Sequence, residues 1–246
     1  MRSGFLQLLV LPAIVHLIAQ SSPMPSIRDS IRPPQVTGSL TLSNIGFAPI
    51  PAFSFNGPMI TALLSIKKGS FRYEPDFALG LNGKPWMANN WFRFSILEKR
   101  KWKLNTAINP FLFFEDIQAS TDVQFIHVQR NISFELSGEF KPTLRSALML
   151  VYRYNKGNDG GLSGHLIDLS STLGITPGSR SMSFLFRPHL LYFDFKGDTK
   201  GLFTSAGMIM NRQGSAFSFQ VQGVWLLKAD FPADPFSWNT GLTYSF

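Results

Sequence analysis

The residues closest to a hydrolytic arrangement are Ser163 and His165. They are two positions apart, so on a strand they share one face. A serine nucleophile needs a histidine base within hydrogen-bond reach and a third group that orients the histidine. The sequence around this pair matches no motif that would supply the third group, and ordinary polar positions of a strand are the favoured interpretation. The chain contains no Cys, which excludes a thiol nucleophile and a Cys-based metal site.

Two pairs of carboxylates also share strand faces, Glu74 with Asp76 and Glu135 with Glu139. A glycosidase uses two carboxylates, but they must flank a sugar-sized cleft. Arginines occur on the same face of neighbouring runs, so ion pairing is the favoured interpretation. The chain shows no phosphate-binding glycine loop and no metal-ligand spacing, and no cofactor is expected.

The elements that carry these residues are strands. From Pro58 onward, apolar and polar residues alternate in about 12 runs of roughly ten residues, separated by turn sequences. One short run covers Val123 and Phe125, and the next, from Ile132 to Phe140, alternates most cleanly, with Ile132 and Phe134 opposing Ser133 and Glu135. A membrane-spanning strand needs about 9–11 residues, and bacterial barrels have even strand numbers. A secreted sandwich or a lipocalin-like barrel would alternate too, and it stays an alternative at this point.

The aromatic content and the low share of charged residues favour a membrane barrel over these soluble folds. The chain has 24 Phe, and charged residues make up only 15% of it. All five tryptophans lie near predicted strand ends, where membrane barrels carry interfacial aromatic girdles. Packing in a core would be the ordinary alternative for Trp86, Trp91, Trp102, Trp225 and Trp238.

The final run ends in an aromatic residue. Trp238, Leu242, Tyr244 and Phe246 share one face, and small polar residues occupy the other. With its terminal Phe, this stretch resembles the last strand of the outer-membrane β-barrel proteins of Gram-negative bacteria. The resemblance implies an all-β fold, a transmembrane antiparallel up-and-down barrel, in the outer membrane. It also implies that the barrel-insertion machinery reads this last strand as an assembly signal.

The N-terminus is predicted to be an export signal. Arg2 precedes an apolar stretch from Phe5 to Ile18, which is too short for a membrane helix, and Ala19 suits a cleavage site. We therefore expect a cleaved signal peptide at 1–19, a flexible segment at 20–57 and a barrel at 58–246. The flexible segment could lie in the periplasm or in the lumen, and 37–44 could form a short strand.

Alternation also predicts which charged side chains line the lumen. They comprise six cations and five anions, so the interior is nearly balanced and the net charge of +8 lies mainly in loops and the N-terminal segment. The basic residues are scattered, which argues against a nucleic-acid partner. The candidate lumen-lining residues are Arg72, Glu74, Asp76, Arg93, Lys101, Lys103, Asp122, Glu135, Glu139, Arg153 and Arg187.

If the C-terminus lies in the periplasm, counting the strands back from it places every second loop on the external side. The loops around 155–161, Lys99-Arg100 and Lys67-Lys68 are then external, where basic residues would contact lipid A phosphates of the outer-membrane lipid. One stretch fits this count poorly. The segment from Asn82 to Asn90 is predicted to be a long connection on the periplasmic side, where turns are usually short.

These patterns leave three functions open. The favoured one is a small passive channel for small polar solutes. The second is a structural barrel, or one that binds a partner or lipid, without an open pore. The third is a membrane-embedded lipid hydrolase. The oligomeric state is not indicated.

Overall fold

The chain forms one closed antiparallel β-barrel of 12 strands within the unit Pro34–Phe246. The structure is a computed structural model that describes residues 33–46, 55–120, 123–158, 161, 163–175, 181–196 and 199–246. No helix in this part of the chain is long and apolar enough to cross a membrane. The strands are β1 (Gln35–Ser43), β2 (Met59–Lys68), β3 (Phe71–Gly80), β4 (Pro85–Glu98), β5 (Trp102–Ser120), β6 (Val123–Thr143), β7 (Ser146–Gly157), β8 (Gly164–Ile175), β9 (Met182–Phe195), β10 (Thr199–Arg212), β11 (Phe217–Ala229) and β12 (Phe236–Ser245).

The apolar face of the barrel points outward. On β6, Phe134 and Leu136 are 46% and 47% exposed, whereas Glu135 between them is 5% exposed. This is the reverse of a soluble barrel, in which apolar side chains fill the interior. The closed barrel excludes the secreted sandwich, and its outward apolar face excludes the lipocalin-like barrel.

The barrel closes between β1 and β12. Their register runs from Ser39 opposite Ser245 to Ser43 opposite Gly241, and the Thr41 and Thr243 hydroxyls lie 2.9 Å apart. The short strand predicted at 37–44 is thus part of the barrel wall. The predicted boundary at residue 58 is too late, because the barrel begins at Gln35. The predicted signal peptide lies outside the described residues.

The predicted number of 12 strands is right, but only because two errors in the strand assignment offset each other. The prediction left β1 out of the barrel and divided β6 into two strands, around 123–125 and 132–140. The predicted sidedness of every loop before β6 was therefore inverted. The loops at Lys67-Lys68 and Lys99-Arg100 lie at the same end of the barrel as Phe246, whereas the 155–161 loop lies at the opposite end.

The long connection predicted from Asn82 to Asn90 is a second correction. Strand β4 already begins at Pro85, so only a tight turn at 81–84 remains, with Gly83 at a φ of 81°. Pro85 suits a strand start because it has no N–H to donate. Asn89 is a strand residue whose side chain donates to Asp76 in the lumen. The backbone N–H of Asn90 donates to Asn109, whereas the Asn90 side chain faces outward and accepts from the Tyr73 hydroxyl.

Connections at the end that carries Phe246 are short. Only Gly69 and Ser70 separate β2 from β3, and only 144–145 separate β6 from β7. At the other end, 15 residues (44–58) separate β1 from β2. The other connections are two to six residues long at both ends. Outer-membrane barrels have short periplasmic turns and longer external loops, so we name the Phe246 end periplasmic and the opposite end external.

At the external end, β5 and β6 continue beyond their neighbours. Their pairing extends to Ser120 opposite Val123. Toward the external end, β5 pairs with β4 only as far as Phe113, and β6 pairs with β7 only as far as Asn131. Residues 114–120 and 123–130 thus form a two-stranded ribbon that projects from the wall.

Candidate functional site in the barrel lumen

Five charged side chains on β3, β4, β6 and β7 form one network inside the barrel. We call Arg72, Glu74, Arg93, Glu135 and Arg153 the arginine–glutamate belt. Strand alternation turns all five inward, and register aligns Arg72 with Arg93 and Glu135 with Arg153.

Each carboxylate of the belt contacts two arginines. Arg93 Nε lies 2.7 Å from Glu74 Oε2, and the same guanidinium donates to Glu135. Arg153 donates to Glu135 Oε2 from Nη2 at 2.6 Å and from Nε at 3.1 Å. Arg72 Nη1 lies 3.3 Å from Glu74. The Glu135 side chain is only 3% exposed, so it is the buried centre of the belt.

The contact between Arg93 and Glu135 crosses a whole strand. Ala107 on β5 lies opposite Arg93 on one side and opposite Glu135 on the other. A methyl side chain at this position leaves room for the guanidinium to pass over β5. Long arginine side chains can therefore join carboxylates that lie two strands away.

Trp91 packs against the belt, and the sequence prediction did not place it in the lumen. The Arg93 and Arg153 guanidinium carbons lie 4.3 and 4.8 Å from its ring centroid, in cation–π geometry. The predicted girdle position is wrong for Trp91 and also for Trp86, which is 5% exposed and packs with Met59. Trp102, Trp225 and Trp238 do lie on the outer surface. The shared parity of Trp91 and Arg93 was the signal that could have placed Trp91 inside.

A chain of amide groups continues the polar wall toward the external end. Asn89 donates to Asp76 at 2.7 Å, and Asn109 donates to Asn89 at 2.9 Å. Asn109 also accepts from the backbone N–H of Asn90. Asn109 is 2% exposed, and its buried amide is satisfied by these partners.

The remaining candidate lumen residues are distributed differently. Lys103 faces inward 3.5 Å from Glu98, and Glu139 pairs with Lys141 at 2.6 Å. Lys101 lies exposed in the turn between β4 and β5, so its predicted place on the lumen wall is wrong. Asp122 lies outside the described residues. Arg187 faces inward from β9, on the other side of the barrel.

The wall formed by β8 to β11 contains a cavity of about 310 Å³. Its polar lining includes Arg187, His189, Asp168, Ser205 and Gln222. His189 Nδ1 lies 3.4 Å from Asp168 Oδ1, and the Gln222 amide donates to Ser205 at 3.2 Å. Sequence analysis identified only Arg187 as a candidate here.

The structure does not join Ser163 to His165. The Ser163 hydroxyl accepts the backbone N–H of Gly157 at 3.0 Å. His165 faces outward, and its Nδ1 lies 2.8 Å from the Tyr152 hydroxyl. The described contacts therefore assign this serine and this histidine to separate local structures.

A closed barrel with an apolar outer face and a charged interior is the architecture of outer-membrane β-barrels, and this chain has that fold. No family model and no curated protein matches it. Among solved structures it is similar to the KdgM porin, with a TM-score of 0.58 and 9% identity over 85% of this chain and 99% of that one. It is also similar to the COG4313 outer membrane channel from Pseudomonas putida F1, with a TM-score of 0.53 and 10% identity over 92% of this chain and all of the other. At this identity the likeness concerns the fold.

Proposed function

We propose that the protein is a passive outer-membrane channel for small polar solutes. The charged belt on the interior wall carries this proposal. The Arg93 and Arg153 side chains are 25% and 24% exposed and that of Arg72 is 35% exposed, so each still needs water or a polar solute as a further partner. A lumen that is lined in this way favours hydrated solutes over apolar ones.

The belt also bears on ion selectivity. A strongly selective pore has a one-sign excess of charge along its wall. Here Arg72, Arg93 and Arg153 are interleaved with Glu74 and Glu135 and paired with them. We therefore expect only weak anion preference from this part of the lumen.

A barrel without an open pore is the second candidate. The Arg93 side chain that crosses Ala107 occupies interior space, and the ribbon beyond Phe113 and Asn131 offers an external surface to a partner. Conductance separates the two candidates.

The experiment is single-channel recording of the refolded mature chain in planar bilayers. We expect stable current steps, and we expect Trp91→Ala to raise the conductance because it removes a large ring from the lumen. Trp102→Ala is the matched control, since Trp102 is 56% exposed on the outer face. A heat-modifiable folded barrel that carries no current would contradict the channel and favour the closed barrel.

Export and lipid contact belong to the same proposal. Residues 1–19 would be removed as a signal peptide, so N-terminal sequencing of the membrane-extracted protein should begin at Gln20. Lys156 and Lys196 are exposed at the external end, where they would contact lipid A phosphates.

A further inference from the structure

The barrel end that carries Phe246 is strongly basic on one side. Three neighbouring turns there, β2–β3, β4–β5 and β6–β7, carry five exposed cations, which we call the basic arc: Lys68, Lys99, Arg100, Lys101 and Arg145. The second and third of these turns are in contact, because the Lys141 backbone N–H donates to the Lys101 carbonyl oxygen at 2.8 Å.

The basic arc extends along six adjacent strands. Lys68 ends β2 and Arg145 directly precedes β7, so five strand spacings separate them. At about 4.8 Å for each spacing, the arc covers about 24 Å of the barrel rim. The cations therefore form one continuous surface and are not isolated turn residues.

The carboxylates near the arc are occupied by other lysines. Glu98 contacts Lys67 at 3.9 Å and Lys103 at 3.5 Å, and Glu139 contacts Lys141 at 2.6 Å. The side chains of the arc make no hydrogen bond or ion pair with any residue that the structure describes. Their positive charge is therefore available to a partner outside the chain.

The external end of the barrel has a mixed charge pattern instead. Lys200 lies 3.4 Å from Asp194, and Asp230 follows Lys228 by two residues. Solvation of turns does not require charges of one sign. The excess of cations at the Phe246 end therefore favours an anionic partner on that side of the membrane.

Exposed aromatic rings lie on the outer wall beside the arc. Phe71, which is opposite Lys68, is 45% exposed, and Trp102, which follows Lys101, is 56% exposed. The Trp102 ring also packs on Phe140, with 4.4 Å between the ring centroids. Membrane proteins carry such rings at the level of the lipid headgroups, so the adjacent cations reach the depth of the phosphates.

We propose that the basic arc binds anionic phospholipids of the periplasmic leaflet. The lipid phosphates lie among the arc cations, and the acyl chains pack on Phe71 and Trp102. An acidic protein or the cell-wall polymer would use the charges alone, whereas a phospholipid uses the charges and the rings. This binding does not require a conducting lumen.

The test is quenching of tryptophan emission by brominated lipids. The refolded mature barrel is placed in phosphatidylcholine vesicles with a minor share of phosphatidylglycerol, and the bromine is carried by one lipid or the other. Trp102→Phe identifies the part of the emission that comes from Trp102. We expect phosphatidylglycerol to be enriched at Trp102 at least about threefold over its share of the bilayer. The enrichment should be lost at about 1 M salt, where the Debye length is about 3 Å.

The triple variant Lys68→Gln, Lys101→Gln and Arg145→Gln should lower this enrichment by about half or more, because it removes three charges of the arc. The triple variant Lys68→Arg, Lys101→Arg and Arg145→Lys keeps the charges and should keep the enrichment. All three positions are exposed, and heat-modifiable migration verifies that each variant folds.

The matched control removes three cations at the external end, with Lys84→Gln, Arg130→Gln and Lys228→Gln, and should leave the enrichment at Trp102 unchanged. Equal shares of the two lipids at Trp102 in the wild-type barrel would overturn the proposal, and so would unchanged enrichment in the folded glutamine variant of the arc. Binding of isolated peptidoglycan that depends on the arc, without any lipid preference, would overturn it too and would assign the arc to the cell wall.

Discussion

Glu135→Gln is expected to destabilise the barrel by about 3 kcal/mol, because it leaves Arg93 and Arg153 without their shared anion in a buried position. Glutamine has nearly the same shape as glutamate, so no cavity is created and the loss reports charge pairing. The measurement is urea unfolding of the refolded barrel in lipid, followed by tryptophan emission.

Glu139→Gln is the matched control on the same strand and the same face. Glu139 pairs with Lys141, whose side chain is 55% exposed, and exposed pairs contribute about 0–1 kcal/mol. Equal destabilisation by the two substitutions would contradict the central position of Glu135 in the belt.

Deletion of Phe246 is expected to reduce the amount of folded barrel in outer membranes about tenfold. Phe246 exchanges two backbone hydrogen bonds with Gly38, at 2.8 and 2.9 Å, and its ring covers that glycine. Two hydrogen bonds and a packed ring amount to about 2–3 kcal/mol at the seam. The heat-modifiable band in membrane extracts measures the folded fraction.

Phe217→Ala is the control, since Phe217 is an exposed aromatic at the same end but outside the seam, and it should change the yield less than about twofold. Gly38→Val keeps the terminal Phe but crowds its ring, because a Cβ at Gly38 would lie 2.5 Å from a ring carbon. We expect this variant to lower the yield too. A normal yield from Gly38→Val would mean that insertion depends on the terminal residue and not on closure of the seam.

The sequence could predict the direction of side chains better than their partners. Parity along a strand is local, so the inward positions of Glu74, Arg93 and Glu135 followed from alternation. Their contact did not, because Arg93 and Glu135 are 42 residues apart and meet only through the register of β5 and the small side chain of Ala107.

The two errors in strand assignment also have physical causes. Phe125 and Ile126 are adjacent apolar residues, which interrupts alternation, and both are exposed on the ribbon beyond the barrel where no lumen requires a polar face. Strand β1 was missed as barrel wall because 15 residues that include Pro49, Pro51 and Pro58 separate it from β2, and because its other partner, β12, lies at the other end of the chain. The alternation within one short stretch of sequence cannot show which distant strand it pairs with.

The hydrogen bonds between Gly38 and Phe246 also mean that the two ends of the barrel sequence are neighbours in space. A short peptide could join Phe246 to the residues before β1, and the chain could be opened instead at another turn, which gives a circular permutant with the same wall. In such a molecule Phe246 would keep its contacts but would no longer be terminal. Comparison of its assembly in cells with its refolding in detergent would separate what the last residue does as a contact from what it does as a chain end.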